Sequence, residues 1–171
     1  MKTKYFLLTF LSIFSTIIFV NCSRKIEFGD KGPEQVLENF TVFETDCGKK
    51  IWDLTAAEAQ ISEKTKIILL NDFKVKFYNN DKLSSVLKSS KGKIDSQNNN
   101  FFTEDKTTVT TSDGEILYCD NLKYISKDKK IFTDSNVKIV RKDYIITGTG
   151  LEATPDLSVV IIKQNKTVLK R

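Results

Sequence analysis

The chain has 171 residues, with 27 Lys and Arg against 22 Asp and Glu, and it contains no histidine. The missing histidine excludes His-dependent catalytic triads, the commonest general base and most zinc sites. The net charge is +5, or +3 without residues 1–21, and a surplus this small is what solubility alone would produce. Among anionic partners it favours phospholipid headgroups and phosphorylated glycolipids, and we predict no nucleic-acid partner.

The first element is an apolar run from Tyr5 to Val20, which follows Lys2 and Lys4. As a helix it would be about 24 Å long, which is shorter than the roughly 30 Å core of a bilayer. A charged start, an apolar middle and then a small-residue site are the layout of a secretory signal peptide. Residues 1–21 are therefore predicted to be a signal peptide that is not part of the fold.

The run ends at Phe19-Val20-Asn21-Cys22, which resembles the signal end of bacterial lipoprotein precursors. That family has a Leu three residues before its lipidated cysteine and a small residue directly before it, and Phe19 and Asn21 depart from this pattern. The resemblance implies that Cys22 is lipidated and tethers the chain to a membrane. The alternative is a signal anchor that stays in the membrane, with Cys22 incidental.

The exported part would comprise 150 residues, enough for one domain with a single core. We expect a flexible tether at 22–33 and a folded domain at 34–171. Two cysteines remain, Cys47 and Cys119, and their wide separation indicates no disulfide framework. An oxidising compartment permits a bridge, but a domain of this size can stand without one, so we favour two free thiols.

An internal repeat occupies the centre of the chain, with copies at 61–75, 95–109 and 125–139 that align without gaps. Each copy has a polar turn, a two-residue apolar step, a second polar turn and a strand. Repeated short strands are typical of an all-β sandwich, barrel or solenoid. The matching apolar positions are Ile67, Phe101 and Ile131, their neighbours Ile68, Phe102 and Phe132, and later Val75, Val109 and Ile139.

Strict alternation of apolar residues with lysine at 73–77 and 137–139 predicts β-strands, and clusters of Asn, Asp and Gly between such segments predict turns. Residues 54–60 are rich in alanine, but so short a segment is not a stable helix by itself, and we predict a strand or a single turn there. Lysine clusters are predicted to lie on solvated turns at 64–66, 88–93 and 127–130.

The segment Gly148-Thr-Gly150-Leu-Glu-Ala153 fits the loose G-x-G-x-x-G/A fingerprint of dinucleotide sites. Pro155 falls where the following helix would run, and 157–162 is predicted to be another strand, so these glycines are predicted to make a bend or bulge. The acidic residues are scattered over turns, with no close pair to act as general acid and base. We therefore expect no enzymatic activity, no cofactor and no metal site.

From about Pro33 to Ile162 the chain resembles the LptC family, the periplasmic component of lipopolysaccharide export that is related to the OstA-like LptA module. The resemblance rests on IWDLTAAEAQI, NDFKVKFYNNDKLSSVL and SDGEILYCDNLKYISKDKKIFTDSNVKIVRKDYIITGTGL, and on the order in which they occur. One departure is Lys106-Thr-Thr before Val109, where the family usually has a glycine. The resemblance implies a twisted, slightly open antiparallel β-jellyroll.

The resemblance also implies a function in lipopolysaccharide export. The chain would receive the glycolipid from the inner-membrane ABC transporter and pass it to an LptA-like bridge. It would lie in the periplasm, anchored to the inner membrane, although Ser23 after Cys22 leaves the outer membrane open. Terminal strands at 40–43 and 157–162 would pair with the transporter and with the LptA-like module. The other interpretations are an envelope assembly lipoprotein that makes only protein contacts and, remotely, a hydrolase.

Equivalent inward positions of the repeat would line one groove for the acyl chains of lipid A. The same residues are also what a closed, dry core requires, and pattern alone favours the core; the resemblance reverses that order. The predicted groove residues are Phe73, Val75, Phe77, Phe102, Val109, Tyr118, Tyr124, Val137 and Ile139.

Overall fold

A computed structural model describes residues 35–169, which consist of β-strands and their connections. Within these residues no helix has the length and apolar character needed to cross a membrane. The predicted signal peptide at 1–21, Cys22 and the tether at 22–33 lie outside the described residues. The strands are β1 (Gln35–Asp46), β2 (Lys49–Ser62), β3 (Ile67–Asn79), β4 (Lys82–Asp95), β5 (Asn100–Thr103), β6 (Thr107–Thr111), β7 (Ile116–Cys119), β8 (Leu122–Ile125), β9 (Lys130–Val140), β10 (Tyr144–Ala153) and β11 (Val160–Leu169).

The strands form one antiparallel sheet with the topology of an up-and-down meander. β5 and β6 follow each other along one side of β4, and β7 and β8 follow each other along one side of β9. Each of these two pairs therefore acts as one interrupted strand, with β5 next to β8 and β6 next to β7. The prediction of an all-β, antiparallel fold is confirmed.

One irregular line crosses the whole sheet at mid-strand. Asn39, Asp72 and Gly150 have positive φ angles there, of 53°, 45° and 74°. In the interrupted strands the line falls at 104–106 and 120–121. Bulges and residues with positive φ bend the strands that carry them. We call the two sides of this bend line half A (35–38, 58–71, 91–103, 122–133 and 151–162) and half B (40–56, 73–89, 107–119, 136–149 and 164–169).

The two half-sheets face each other across an apolar interior. The ring of Phe77 in half B lies 5.9 Å from that of Phe101 and 5.1 Å from that of Tyr124, both in half A. Trp52 in half B also contacts Phe101, with 6.0 Å between the ring centroids. A single sheet thus folds over its own core at the bend line, which is the β-jellyroll predicted above.

The internal repeat has a structural counterpart. Each copy starts in half A and crosses the bend line into half B. Val75, Val109 and Ile139 are fully buried and lie in one row across the sheet, connected through Leu87 and Leu117. Alternate strands of the meander therefore carry the same residue position of the repeat, which is why equivalent residues come together.

The first copy is shifted by one residue near its beginning. Ile68, not Ile67, lies in the same row as Phe101 and Ile131. The two rows are one residue closer along this copy than along the other two, and the pairing of β3 with β2 and β4 passes Asp72 without a register shift. An alignment without gaps cannot show this shift, because the other two copies have one more residue between the rows.

The predictions for the other segments have mixed outcomes. Residues 54–60 lie within β2, which is paired on both sides, so tertiary pairing overrides the helix preference of alanine. Residues 64–66 lie on a turn, as do 127–129, and Lys130 begins β9. The prediction of a turn at 88–93 is wrong, because these residues lie inside β4. Ser89 and Gly92 occupy inward positions in this segment, so the alternation of inward and outward residues cannot be recognised from apolar residues alone.

The two glycines of β10 produce the predicted irregularity. The register between β9 and β10 shifts between Thr149 and Leu151, around Gly150. A Cβ atom at Gly148 would lie 2.2 Å from the backbone oxygen of Gln164 and 2.4 Å from Cγ2 of Ile162. Gly148 is therefore required for the close approach of β11.

Both described cysteines are free, as predicted. Cys47 is exposed in the turn between β1 and β2, whereas Cys119 is buried in β7. Burial raises the pKa of the Cys119 thiol to about 12, so it stays protonated and unreactive at neutral pH.

Candidate functional site

The inner face of the sheet presents continuous rows of apolar side chains. The longest row runs from β1 to β10 through directly paired residues. Its six central members are fully buried, and its two outer members, next to the sheet edges, are half-buried. The row consists of Val42, Leu54, Val75, Leu87, Val109, Leu117, Ile139 and Ile146.

An aromatic cluster occupies the interior where the two halves meet. The rings of Phe101 and Tyr124 are stacked with their centroids 4.7 Å apart, and Phe77 and Trp52 contact them from half B. Burial, together with the nearby Glu44 carboxylate, raises the pKa of the Tyr124 phenol far above its ordinary value. The cluster is therefore uncharged and apolar at every physiological pH.

Seven of the nine predicted groove residues lie on this inner face and are buried. The other two, Phe102 and Tyr118, lie on the outer face, where Phe102 is half-buried and Tyr118 is 42% exposed. Successive residues of a strand point to opposite faces, so Phe101 and Leu117 take the inner positions instead. The seven inner residues are Phe73, Val75, Phe77, Val109, Tyr124, Val137 and Ile139.

Sequence reasoning missed several inner residues that are fully buried. Phe101 was visible as a matching position of the repeat, and Leu117 alternates with Cys119 in β7. Trp52 and Leu54 belong to β2, where alanines obscure the alternation. A search that included alanine, serine and cysteine as inward residues would have found all four.

The tips of the half-sheets, meaning the strand ends at the turns, are joined by polar contacts around Glu44. This carboxylate in β1 accepts hydrogen bonds from Trp52 Nε1, from Ser126 Oγ at 2.9 Å and from Asn99 Nδ2 at 3.4 Å. Nearby, Lys129 Nζ lies 3.0 Å from Asp46 Oδ2. Since Ser126 and Asn99 belong to turns of half A, these bonds hold the tip of β1 against the opposite half.

Beside these contacts the interior reaches the surface through a cavity of about 410 Å³, which we call the mouth. Its deepest residues are Phe77 and Tyr124, both buried members of the aromatic cluster. The mouth thus connects the aromatic interior with solvent between the tips of half A and half B. Its charged lining residues are Lys49, Lys50, Lys129, Asp46 and Asp156.

The sheet has two edges, β1 and β11, and within the described residues neither has a second strand beside it. Exposed apolar side chains lie along both edges, including Phe43 on β1 and Ile161 on β11. Unpaired strand edges with apolar side chains are templates for the addition of another strand. The fold can therefore extend its sheet at either end.

The boundary of the C-terminal strand differs from the prediction at 157–162. The strand begins at Val160, and Leu157 lies in the preceding turn with a φ of 57°. The Leu157 side chain is buried, and its carbonyl accepts a hydrogen bond of 3.0 Å from Arg141 Nη2. Asp156 accepts hydrogen bonds from Thr154 and Ser158, which stabilises a turn where apolar residues alone suggested a strand.

A family model described as "Lipopolysaccharide-assembly, LptC-related" matches residues 8–170. The chain belongs to the LptC family. No curated protein matches the sequence significantly. Among solved structures, the chain is similar to LptH from Pseudomonas aeruginosa, described as the LptA homologous periplasmic component of the conserved lipopolysaccharide transport device. The TM-score is 0.56 at 10% sequence identity, over 70% of this chain and 95% of that chain.

At this level of identity the similarity to LptH concerns the fold alone. It agrees with the folded-over antiparallel sheet, and LptC family membership supports a role in lipopolysaccharide transport. In this LptC-family chain, the features able to take part in such a role are the apolar inner face, the mouth and the two sheet edges.

Proposed function

We propose that this LptC-family chain is a lipid-anchored periplasmic protein, held at the inner membrane, that receives lipopolysaccharide from the ABC transporter and passes it to an LptA-like module. The observation that carries this proposal is the continuous apolar row that crosses the sheet from β1 to β10. Burial of each acyl methylene contributes about 0.8 kcal/mol. A continuous apolar path that begins at the β1 edge and ends beside the β11 edge therefore suits the relay of acyl chains.

Lipid entry requires the two half-sheets to separate, because the inner residues pack against each other across the fold. The contacts that would have to yield at the tips are polar and partly exposed, such as Lys129 with Asp46. Exposed ion pairs of this kind contribute about 1 kcal/mol or less. Separation at the mouth therefore costs far less than disruption at the bend line, where the strands are continuous.

The close packing also favours a second candidate function, an assembly lipoprotein that uses its edges for protein contacts alone. Seven of the nine predicted groove residues are buried to at least the extent expected in a dry core. In that case the interior would only stabilise the fold. The two functions differ in whether acyl chains ever contact the inner face.

A photo-crosslinking residue placed in cells at Val75, Tyr124 or Ile139 tests this difference. Matched controls are the lysines directly adjacent on the outer face, at positions 74, 123 and 138. The proposal expects glycolipid crosslinks at the inner positions that depend on ATP hydrolysis by the transporter, and none at the outer positions. Crosslinks to protein alone at all three inner positions, in folded samples with active transporter, would favour the assembly lipoprotein.

The two edges are proposed to have different partners: β1 would pair with the periplasmic part of the transporter, and β11 with the LptA-like module. Truncation after Val159 removes β11. It should abolish binding of the LptA-like module in a pull-down and leave transporter binding intact. Normal binding of the module by the truncated, folded protein would contradict this arrangement.

The anchor is proposed to be lipid attached to Cys22. Two or three acyl chains hold a protein at a membrane stably, whereas one does not. The intact mass of membrane-extracted protein should correspond to a chain that starts at Cys22 and carries acyl groups, and Cys22→Ala should release or mislocalise the protein. A mass matching the uncleaved chain would instead support a retained signal anchor.

A further inference from the structure

The mouth combines an apolar floor with a cationic rim. Its floor contains Phe77 and Tyr124, which are 3% and 1% exposed and belong to the interior. Its rim carries three lysines, Lys49, Lys50 and Lys129, against Asp46 and Asp156, and a third aspartate, Asp53, lies next to Lys50. A volume of about 410 Å³ is within the range of small-molecule binding sites.

The three lysines are available to a ligand because their present partners hold them weakly. Lys49 Nζ donates to a neutral group, Asn80 Oδ1, at 3.1 Å. Lys129 and Asp46 form an ion pair in which both side chains are 57% exposed. Such pairs are weak in water, so a doubly charged anion competes well for the ammonium group.

Lys50 contacts an aspartate and an aromatic ring, and it also lines the mouth. Its Nζ lies 3.3 Å from Asp53 Oδ2 and 5.2 Å from the centroid of the Tyr78 ring. These contacts orient the ammonium group without removing it from solvent, since the side chain is 42% exposed. Lysine ammonium groups with free donors are common ligands of phosphate.

We propose that Lys49, Lys50 and Lys129 bind the phosphate groups of the glycolipid whose acyl chains enter the interior at Phe77 and Tyr124. This inference rests on the proposed function and adds the part of the substrate that the apolar interior cannot recognise. A lipid with phosphates close to its acyl chains matches a rim of cations around an apolar entry. The mouth then selects phosphorylated glycolipid over uncharged lipid.

The outer face supplies a matched control. Lys74, Lys88 and Lys138 lie on half B in one outward row, and among the described residues they form no ion pair. They have the same charge as the mouth lysines but lie away from the mouth; Lys74 and Lys88 line a separate cavity of about 690 Å³ at the bend line. Exchanging either set for glutamine changes the net charge equally.

The test measures binding of lipid A carrying two, one or no phosphate groups to the full chain, purified in detergent. The mouth variant K49Q/K50Q/K129Q should lose about tenfold or more in affinity for the phosphorylated lipid, as expected for the loss of charged hydrogen bonds. Its affinity for the phosphate-free lipid should not change. The outer variant K74Q/K88Q/K138Q should keep the preference of the wild type, and K49R/K50R/K129R should restore it.

Four results would overturn the inference. Equal losses of affinity for the phosphorylated lipid in the mouth and outer variants would indicate that the net positive charge of the protein attracts the lipid without a specific site. Equal affinity of the wild type for phosphorylated and phosphate-free lipid would remove the inference and leave the proposed function standing, whereas no binding of any lipid A would remove both. Wild-type protein that prefers phosphatidylglycerol to phosphorylated lipid A would identify a membrane surface as the source of the phosphate. Circular dichroism of each variant shows that it is folded.

Discussion

The inner and outer faces of the folded sheet are built from the same strands but differ in almost every property. Phe101 is fully buried in the aromatic cluster, whereas Phe102 beside it lies between Lys93 and Lys123, whose ammonium groups are 5.8 and 5.4 Å from its ring. Two neighbouring phenylalanines therefore have different roles in this protein. The role depends on the face of the sheet on which the side chain lies, and the face alternates with every residue along a strand.

The two faces should differ most in how much unfolding free energy is lost when each of these two phenylalanines is replaced by alanine. Phe101→Ala should cost about 3–5 kcal/mol, since it leaves a cavity in the interior. Phe102→Ala should cost less, about 1–2 kcal/mol, because it removes a half-buried ring and its two cation–π contacts but leaves no cavity. Urea denaturation of both variants measures the difference, and similar costs would mean that the interior is not closely packed.

A second comparison uses Gly148, on the inner face, and Thr149, on the outer face. Gly148→Ala introduces a Cβ atom that meets the backbone oxygen of Gln164 at 2.2 Å, and overpacking of this kind costs about 1–3 kcal/mol. Hydrogen exchange should show loss of protection in β11. Thr149→Ala removes only a hydrogen bond to Asn136 and should leave β11 protected; loss of protection in both variants would contradict this explanation.

Glu44 tests the contacts that close the tips. Glu44→Ala leaves Trp52 Nε1, on a side chain that is 1% exposed, without its acceptor, and an unsatisfied buried donor costs about 1–3 kcal/mol. Glu38→Ala is the control, because Glu38 lies exposed on the same strand. Thermal unfolding should show a lower midpoint for the first variant only. An unchanged midpoint would show that Glu44 does not join the halves in solution.

The smallest effect concerns the turn at the mouth. Burial raises the pKa of Asp156, but hydrogen bonds from Thr154 and Ser158 outweigh it and hold the pKa below its ordinary value of 3.8. The carboxylate therefore stabilises the fold above about pH 3.8, and this contribution is lost as the pH falls through the lower folded-state pKa.

Thermal unfolding between pH 5 and 3 measures this loss. Asp156→Asn should weaken the pH dependence, whereas Asp134→Asn, on an exposed side chain paired with Lys163, should change it less. If the unfolding temperature changed equally with pH in both variants and in the wild type, the hydrogen bonds of the turn would not stabilise the Asp156 carboxylate.

Several parts of the candidate site could be predicted from the sequence. The repeat identified Val75, Val109 and Ile139 as equivalent, and these residues lie in one buried row. The mouth could not be predicted, because its residues come from β1, β2, β3, β4, β8 and four turns that are far apart in the chain. Short-range patterns contain no information about which turns meet after the sheet folds over.

The all-β class, most of the turns and the period of two could be predicted from the sequence, because these depend on neighbouring residues. Which face of each strand is buried depends on the tertiary structure. Asp72 and Gly150 show the reason: the alternation changes phase where these residues of positive φ lie, and only pairing with the strands beside them fixes the new phase. That is why Phe101 and Leu117 lie inside while Phe102 and Tyr118 lie outside.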